Sequence, residues 1–185
     1  AISMLLGIAT DELLHNTGAF VRSCQTYEGG FAAQSAPSYT LQEHGIVPAA
    51  PVASQAAQGE AHGGYSYCAL ATHAFLSFVG RADAGVDIPM LVRWATSLQG
   101  SLSYEGGGMR GRTNKLVDGC YGWFCGGGLM TLLEMLMEDE ATDAATSDSW
   151  STVSDVRSSF WDRSALRTYI LACLLYTSDA ADDLL

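Results

Sequence analysis

One structural unit is written twice in this chain, and that duplication limits the fold more than any other feature. Cys24-Gln25-Thr26-Tyr27-Glu28-Gly29-Gly30-Phe31 closes one amphipathic helix, and Gln99-Gly100-Ser101-Leu102-Ser103-Tyr104-Glu105-Gly106-Gly107-Gly108 closes the next. Each leads toward a glycine-rich start of an apolar helix, His62-Gly63-Gly64-Tyr65-Ser66-Tyr67-Cys68 and Asp118-Gly119-Cys120-Tyr121-Gly122-Trp123-Phe124. Paired glycines permit the positive φ and close backbone approach that a tight helix-to-helix connection needs. The predicted unit is therefore outer helix, Glu-Gly-Gly turn, inner helix. Such units bury their apolar faces only against neighbours, so two copies and part of a third predict an all-α barrel or solenoid that these residues do not close.

Local signals place the helices. Thr10-Asp11-Glu12 reads as an N-cap with an acidic first turn, predicting an outer helix through Phe20 and Val21 to Cys24. Asp87-Ile88-Pro89 opens a second, with Leu91, Trp94, Ala95 and Leu98 on one stripe. Two helices with little polar face are predicted over 64–79 and 119–137, and a further one over 158–174. The Ala/Ser/Gln/Pro stretch 32–58 carries three of the four prolines and reads as a surface insertion, with His44 a solvated residue within it. Residues 138–157 read as an acidic, solvated linker.

The 185 residues are 48% apolar and 16% charged, enough to bury a core in one domain, and no apolar run reaches the length of a membrane span. A formal charge of −11 has the wrong sign for a nucleic-acid surface or an anionic membrane. The five cysteines form no CxxC pair, so a disulfide framework is disfavoured and a reducing compartment, the cytoplasm, is the expectation. The opening Ala-Ile-Ser-Met carries no leader signal and reads as a cut start.

Against that acidic background, Arg110, Arg112 and Lys115 cluster just before an inner helix, and Lys115 is the only lysine. A solvated loop accounts for them as well as an anion site does. Yet a helix N-terminus with glycine flanks favours a phosphate. Asp118 and Cys120 follow at once. At the turn into a helix the two can converge on one zinc ion, the thiolate being the softer ligand, although a capping Asp beside a buried Cys is the simpler account. His62 takes in the first copy the place of Asp118 in the second, so it could face the same cavity. Nothing singles out His15 or His73.

Residues 60–68, Glu-Ala-His-Gly-Gly-Tyr-Ser-Tyr-Cys, and 111–121, Gly-Arg-Thr-Asn-Lys-Leu-Val-Asp-Gly-Cys-Tyr, closely resemble the β subunits of protein prenyltransferases. The wording of 114–121 is closer to farnesyl than to geranylgeranyl members. The resemblance covers about residues 3–30, 59–137 and 160–174. It implies an α/α toroid of six helix pairs, of which two to three are present, and an α subunit as partner. It also implies zinc-dependent transfer of farnesyl from farnesyl diphosphate to a C-terminal cysteine of CaaX-type proteins, with Asp118 and Cys120 as zinc ligands.

By the same resemblance His62, Arg112, Lys115 and Tyr121 contact the diphosphate and carry the catalytic role. Tyr65, Cys68 and Trp123 or Phe124 line the isoprenoid cavity. The family writes Phe-Trp where this chain has Trp123-Phe124, which leaves open which ring meets the lipid, and Arg110 has no counterpart. The family's third zinc ligand is a His of a later repeat, absent from this chain, and a magnesium-related Asp lies in the same missing part. Residues 175–185 lack the expected turn and read as unrelated to the family, so the segment alone is expected to bind zinc weakly and turn nothing over. The alternatives are a geranylgeranyltransferase β subunit and a non-catalytic toroid module that only binds a partner.

Overall fold

The computed structural model of the chain describes residues 2–36, 39–42, 45–48, 56–81, 85–144 and 160–182. Its helices are α1 (Ile2–Leu5), α2 (Asp11–Leu14), α3 (Thr17–Ser23), α4 (Gly63–Phe78), α5 (Ile88–Thr96), α6 (Leu102–Glu105), α7 (Gly119–Tyr121), α8 (Thr131–Ala144) and α9 (Arg163–Asp182). A π-helical stretch, Gly122–Met130, joins α7 to α8. Among the described residues, four short strands lie between α3 and α4: β1 (Gln34–Ser35), β2 (Tyr39–Gln42), β3 (Gly45–Pro48) and β4 (Ala57–Gln58). Two compact units result, Ala1–Trp94 and Ala95–Leu185, with the boundary inside α5.

The repeat seen in the sequence is a repeat of backbone hydrogen bonds. In the first unit the Thr26 amide donates to Gly30 O at 2.8 Å, the Ala32 amide to Cys24 O at 2.9 Å and the His62 amide to Phe31 O at 3.0 Å. In the second, Gly100 donates to Gly108 O at 2.8 Å, Arg110 to Leu98 O at 2.9 Å and Asp118 to Met109 O at 2.9 Å. Each outer helix thus runs into a small closed loop whose far side carries the residue that opens the inner helix.

Glutamine side chains tie each turn to the outer helix that follows. Gln25 Nε2 donates to Gly29 O and Asp87 O, both at 2.9 Å, while its Oε1 accepts the Asp87 amide at 2.8 Å. Asp87 Oδ1 then caps α5 by accepting the Met90 amide at 2.9 Å. In the second unit Gln99 binds Asp162 in the same way, and Asp162 Oδ1 caps α9 through the Ala165 amide at 2.8 Å. The glycine pairs now have a packing reason. A Cβ at Gly29 would collide with the Met90 carbonyl and one at Gly30 with the Trp94 ring; Gly107 and Gly108 stand likewise against Ala165 and Tyr169. Side-chain-free turns let the next outer helix lie directly on them.

Fully buried Phe31, Leu70 and Leu91 form the core of the first unit, and Leu98, Met109, Leu129 and Leu133 that of the second. Each such side chain contributes on the order of 1.5–3 kcal/mol relative to exposure. Ser66 is buried among them because its Oγ accepts the Phe31 amide at 2.8 Å, which satisfies both groups.

Several expectations shift in detail. The first outer helix is two helices. Thr10 caps α2 through the Leu13 amide at 3.3 Å as expected, but the chain breaks at His15–Asn16, where Asn16 takes a left-handed φ of 60°, a conformation Asn tolerates. The second inner helix is interrupted by the π-helical stretch. There Gly122 and Gly126 make room for Ile170 and Leu166 of α9, and the glycine run accepts the wider turn.

The stretch 32–58 contains two antiparallel pairs, β1 with β4 and β2 with β3. Its residues 37–38, 43–44 and 49–55, His44 included, lie outside the described residues. Of the stretch read as a linker, 138–144 continue α8, where Glu and Ala favour a helix, and 145–157 are outside the description. From the tail, residues 175–182 continue α9 and 183–185 are likewise outside.

Candidate functional site

Asp118 sits in extended backbone, φ −149° and ψ 142°, immediately before α7, and its Oδ1 accepts the Cys120 amide at 2.9 Å. That short bond fixes the carboxylate at the start of the turn that carries Cys120. The Cys120 amide holds the Asp118 carboxyl below the usual carboxylate range, the thiol hydrogen bond adding to it. Partial burial, followed by the Asp118 hydrogen bond and charge, pushes the Cys120 thiol up. An ionised carboxylate and a thiol thus share one exposed turn. Their donor set fits two corners of a tetrahedral zinc site. Among the described residues no third His, Cys, Asp or Glu joins them.

The loop Gly111–Leu116 occupies the place that the β insertion fills in the first copy, bracketed by the Arg110–Val117 bridge. It turns through Lys115 N–H to Arg112 O at 3.3 Å, with Asn114 at φ 59°. Arg112 is half-buried and Lys115 exposed. The Tyr121 ring lies against Gly111, where a Cβ would penetrate it. Burial and the nearby Cys120 push the Tyr121 phenol up, and the charge of Arg112 pulls it back. The second unit therefore brings Arg112, Asp118, Cys120 and Tyr121 into one neighbourhood, with Lys115 on the same loop.

Arg110 departs from the expectation of a loop cation. Its guanidinium pairs with Glu105 at 2.6 Å, and Glu105 Oε2 also accepts the Ser101 amide at 3.0 Å. The Cys125 thiol donates to Arg110 O at 3.5 Å. Arg110 thus braces the turn. The signal was present in the sequence as a Glu five residues upstream, within the repeated Tyr-Glu-Gly-Gly.

In the first unit His62 holds the place of Asp118 and performs the same cap: Nδ1 accepts the Gly64 amide at 3.1 Å. With Nδ1 the acceptor, the proton of the neutral ring belongs on Nε2, which makes that atom a donor. The imidazole rests on Tyr65, ring centroids 4.7 Å apart. Tyr65 and Cys68 face a small apolar cleft with Phe20, Cys24 and Ala69. Trp123 and Phe124 head the π-helical stretch, 64% and 37% exposed, and the indole lies along Gly127. Sequence reasoning missed Asp162 and the reach of Gln99, because their contact spans 63 positions.

The fold and this repeated turn define a class. The description "Prenyltransferase alpha-alpha toroid domain" matches residues 1–178, and the chain belongs to that family. It is 37% identical over 155 residues to the protein farnesyltransferase β subunit of Pisum sativum, covering 84% of this chain and 30% of that protein. Against the Arabidopsis thaliana protein farnesyltransferase β subunit it is 36% identical over 121 residues, 65% of this chain and 19% of the relative. Against the geranylgeranyl transferase type-1 β subunit of Arabidopsis thaliana the figures are 28% over 114 residues, 58% and 24%. The chain spans less than a third of the length of these relatives. No described helix is long and apolar enough to cross a membrane.

Proposed function

We propose that the chain is a segment of the β subunit of a zinc-dependent protein farnesyltransferase, which moves farnesyl from farnesyl diphosphate to a cysteine near the C-terminus of a CaaX-type protein. An α subunit is its partner, and the cytoplasm its compartment. The observation that carries the reading is the turn in which Asp118 caps the helix through the Cys120 amide while the Tyr121 ring lies against Gly111, the residue before Arg112. The higher identity to the farnesyl than to the geranylgeranyl subunit of the same plant favours the shorter lipid.

Asp118 and Cys120 would hold the zinc ion, with a further ligand from outside the described residues. Bound there, zinc supplies a lowered pKa for a coordinated thiol. The chain's own residues then act on the leaving group. Arg112 and Lys115 bring fixed positive charge to a diphosphate, and Tyr121 Oη–H and His62 Nε2–H bring neutral donors. Charge that grows on the diphosphate as the carbon–oxygen bond breaks is met by donors already oriented, each worth roughly 2–4 kcal/mol of barrier. By the resemblance, Tyr65 and Cys68 in the first unit and Trp123 and Phe124 in the second would each offer apolar or aromatic surface to the isoprenoid. Magnesium would enter, if used, through groups beyond these.

The test is prenyl transfer by the full-length protein with its α subunit, comparing farnesyl and geranylgeranyl diphosphate on matched peptides. Faster farnesyl transfer that Cys120→Ala abolishes is the expected result. Preference for the longer diphosphate would move the assignment to the geranylgeranyl enzymes. Equal zinc content in wild type and Cys120→Ala, without transfer, would leave a non-catalytic toroid module.

A further inference from the structure

Two glutamines perform one job in this fold, but only one of them stands behind the candidate metal pair. Gln99 Nε2 donates to Gly107 O at 3.0 Å and Asp162 O at 2.8 Å, and its Oε1 accepts the Asp162 amide at 2.8 Å. The carboxamide therefore joins the turn to the first residue before α9. From the other side, α9 lays Ala165 on Gly107 and the Tyr169 ring on Gly108. The segment Gly107–Met109 is held between these two grips. Asp118 hangs from its end, since the Asp118 amide donates to Met109 O at 2.9 Å, and Asp118 Oδ1 in turn sets Cys120. α9 also packs against α7, the short helix that carries Cys120.

The first unit supplies the control. Gln25 clamps Gly29 and Asp87 with the same three bonds, and the residue suspended from Phe31 is His62. Removing either amide takes away equivalent bonds from equivalent turns.

We propose that Gln99 is a positioning residue for the Asp118–Cys120 turn, acting through Gly107–Met109 and Asp162 to keep carboxylate and thiol in register, whereas Gln25 acts on the separate turn that carries His62 and leaves the Asp118–Cys120 turn untouched. The consequence for metal affinity rests on the metal reading given above; the register does not. Gln99→Met and Gln25→Met keep side-chain length and remove the hydrogen bonds. In the full-length protein, native-state hydrogen exchange of the Asp118 and Cys120 amides is measured in both variants and corrected for the change in global stability.

Gln99→Met is expected to speed these two amides by roughly tenfold or more, and Gln25→Met by less than about twofold. Equal acceleration in the two variants would overturn the proposal. Should Gln99→Met fail to fold, Gln99→Glu keeps the acceptor for the Asp162 amide and loses only the donors, and the comparison is read on it. In parallel, Co2+ affinity is expected to fall about 10–100-fold for Gln99→Met and to hold for Gln25→Met. Co2+ that weakens equally in both variants counts against the proposal. Wild-type protein that takes up no Co2+ defeats the metal reading, while the exchange comparison still decides the role of Gln99.

Discussion

Asp118 Oδ1 accepts the amide of Cys120 at 2.9 Å, so the carboxylate that opens the second inner helix is locked beside a thiol two residues away. The bond is both a helix cap and an arrangement of potential ligands, and one substitution separates these roles. Asn caps as well as Asp, so Asp118→Asn is expected to leave thermal stability within about 0.5 kcal/mol. Loss of the anionic oxygen should nevertheless weaken Zn2+ binding by more than about 100-fold, beyond what even outer hydrogen-bond partners of ligands contribute. Calorimetric unfolding and chelator competition on the full-length protein read the two effects separately.

Arg110 and Lys115 lie five positions apart and should fail in opposite ways. Arg110 is part-buried against Glu105, so Arg110→Met leaves that carboxylate without its cation and is expected to cost about 1–3 kcal/mol in urea unfolding. Lys115 is exposed, and Lys115→Gln should stay within about 0.5 kcal/mol of wild type. Inhibition of prenyl transfer by inorganic pyrophosphate should weaken in Lys115→Gln. An unchanged inhibition constant there would remove Lys115 from the anion site.

Two glycines of the site differ in what a methyl group would meet. At Gly111 a Cβ would enter the Tyr121 ring, whereas at Gly119 it meets nothing within 4 Å. Gly111→Ala is expected to cost about 1–3 kcal/mol and to displace Tyr121. Gly119→Ala should be neutral or stabilise by up to about 1 kcal/mol through the unfolded chain. Thermal unfolding of the two variants checks the contrast.

Burial pushes the Cys125 thiol up to about 12. A thiol raised in the folded state favours folding fully below its unfolded pKa, near 8.5. The contribution is then lost as pH rises toward 12, because the unfolded chain releases its proton first. The contribution of Cys125 should therefore be complete and independent of pH around pH 7, and stability should decline above about pH 9, with a shallower decline in Cys125→Ala. Iodoacetamide at pH 8 should spare Cys125 and label the exposed Cys68 and Cys120; early labelling of Cys125 would contradict its burial.

Much of the fold was readable because its signals are local. Thr10, Asp87 and Asp118 announced their caps, and the Glu-Gly-Gly repeats announced the turns. His62 was legible as the counterpart of Asp118 through the repeat alone, and the two do make the same cap. The break at Asn16 was hidden, since a single left-handed residue interrupts a pattern that reads as one helix.

What the chain order determined by itself is the unit: its glycine turns, its caps, the placing of cations before a carboxylate and a thiol, and the family these define. Tertiary structure alone decided which residues fill the spaces those glycines leave. Trp94 seats on Gly30 and Tyr169 on Gly108, and Gln25 and Gln99 reach Asp87 and Asp162 across 62 and 63 positions. It also decided that Arg110 braces a turn and that the second inner helix widens into a π-helical stretch against α9. The reason is physical. Periodicity and capping act over one or two helical turns, whereas packing of one repeat on the next depends on shapes that meet only after the chain has folded.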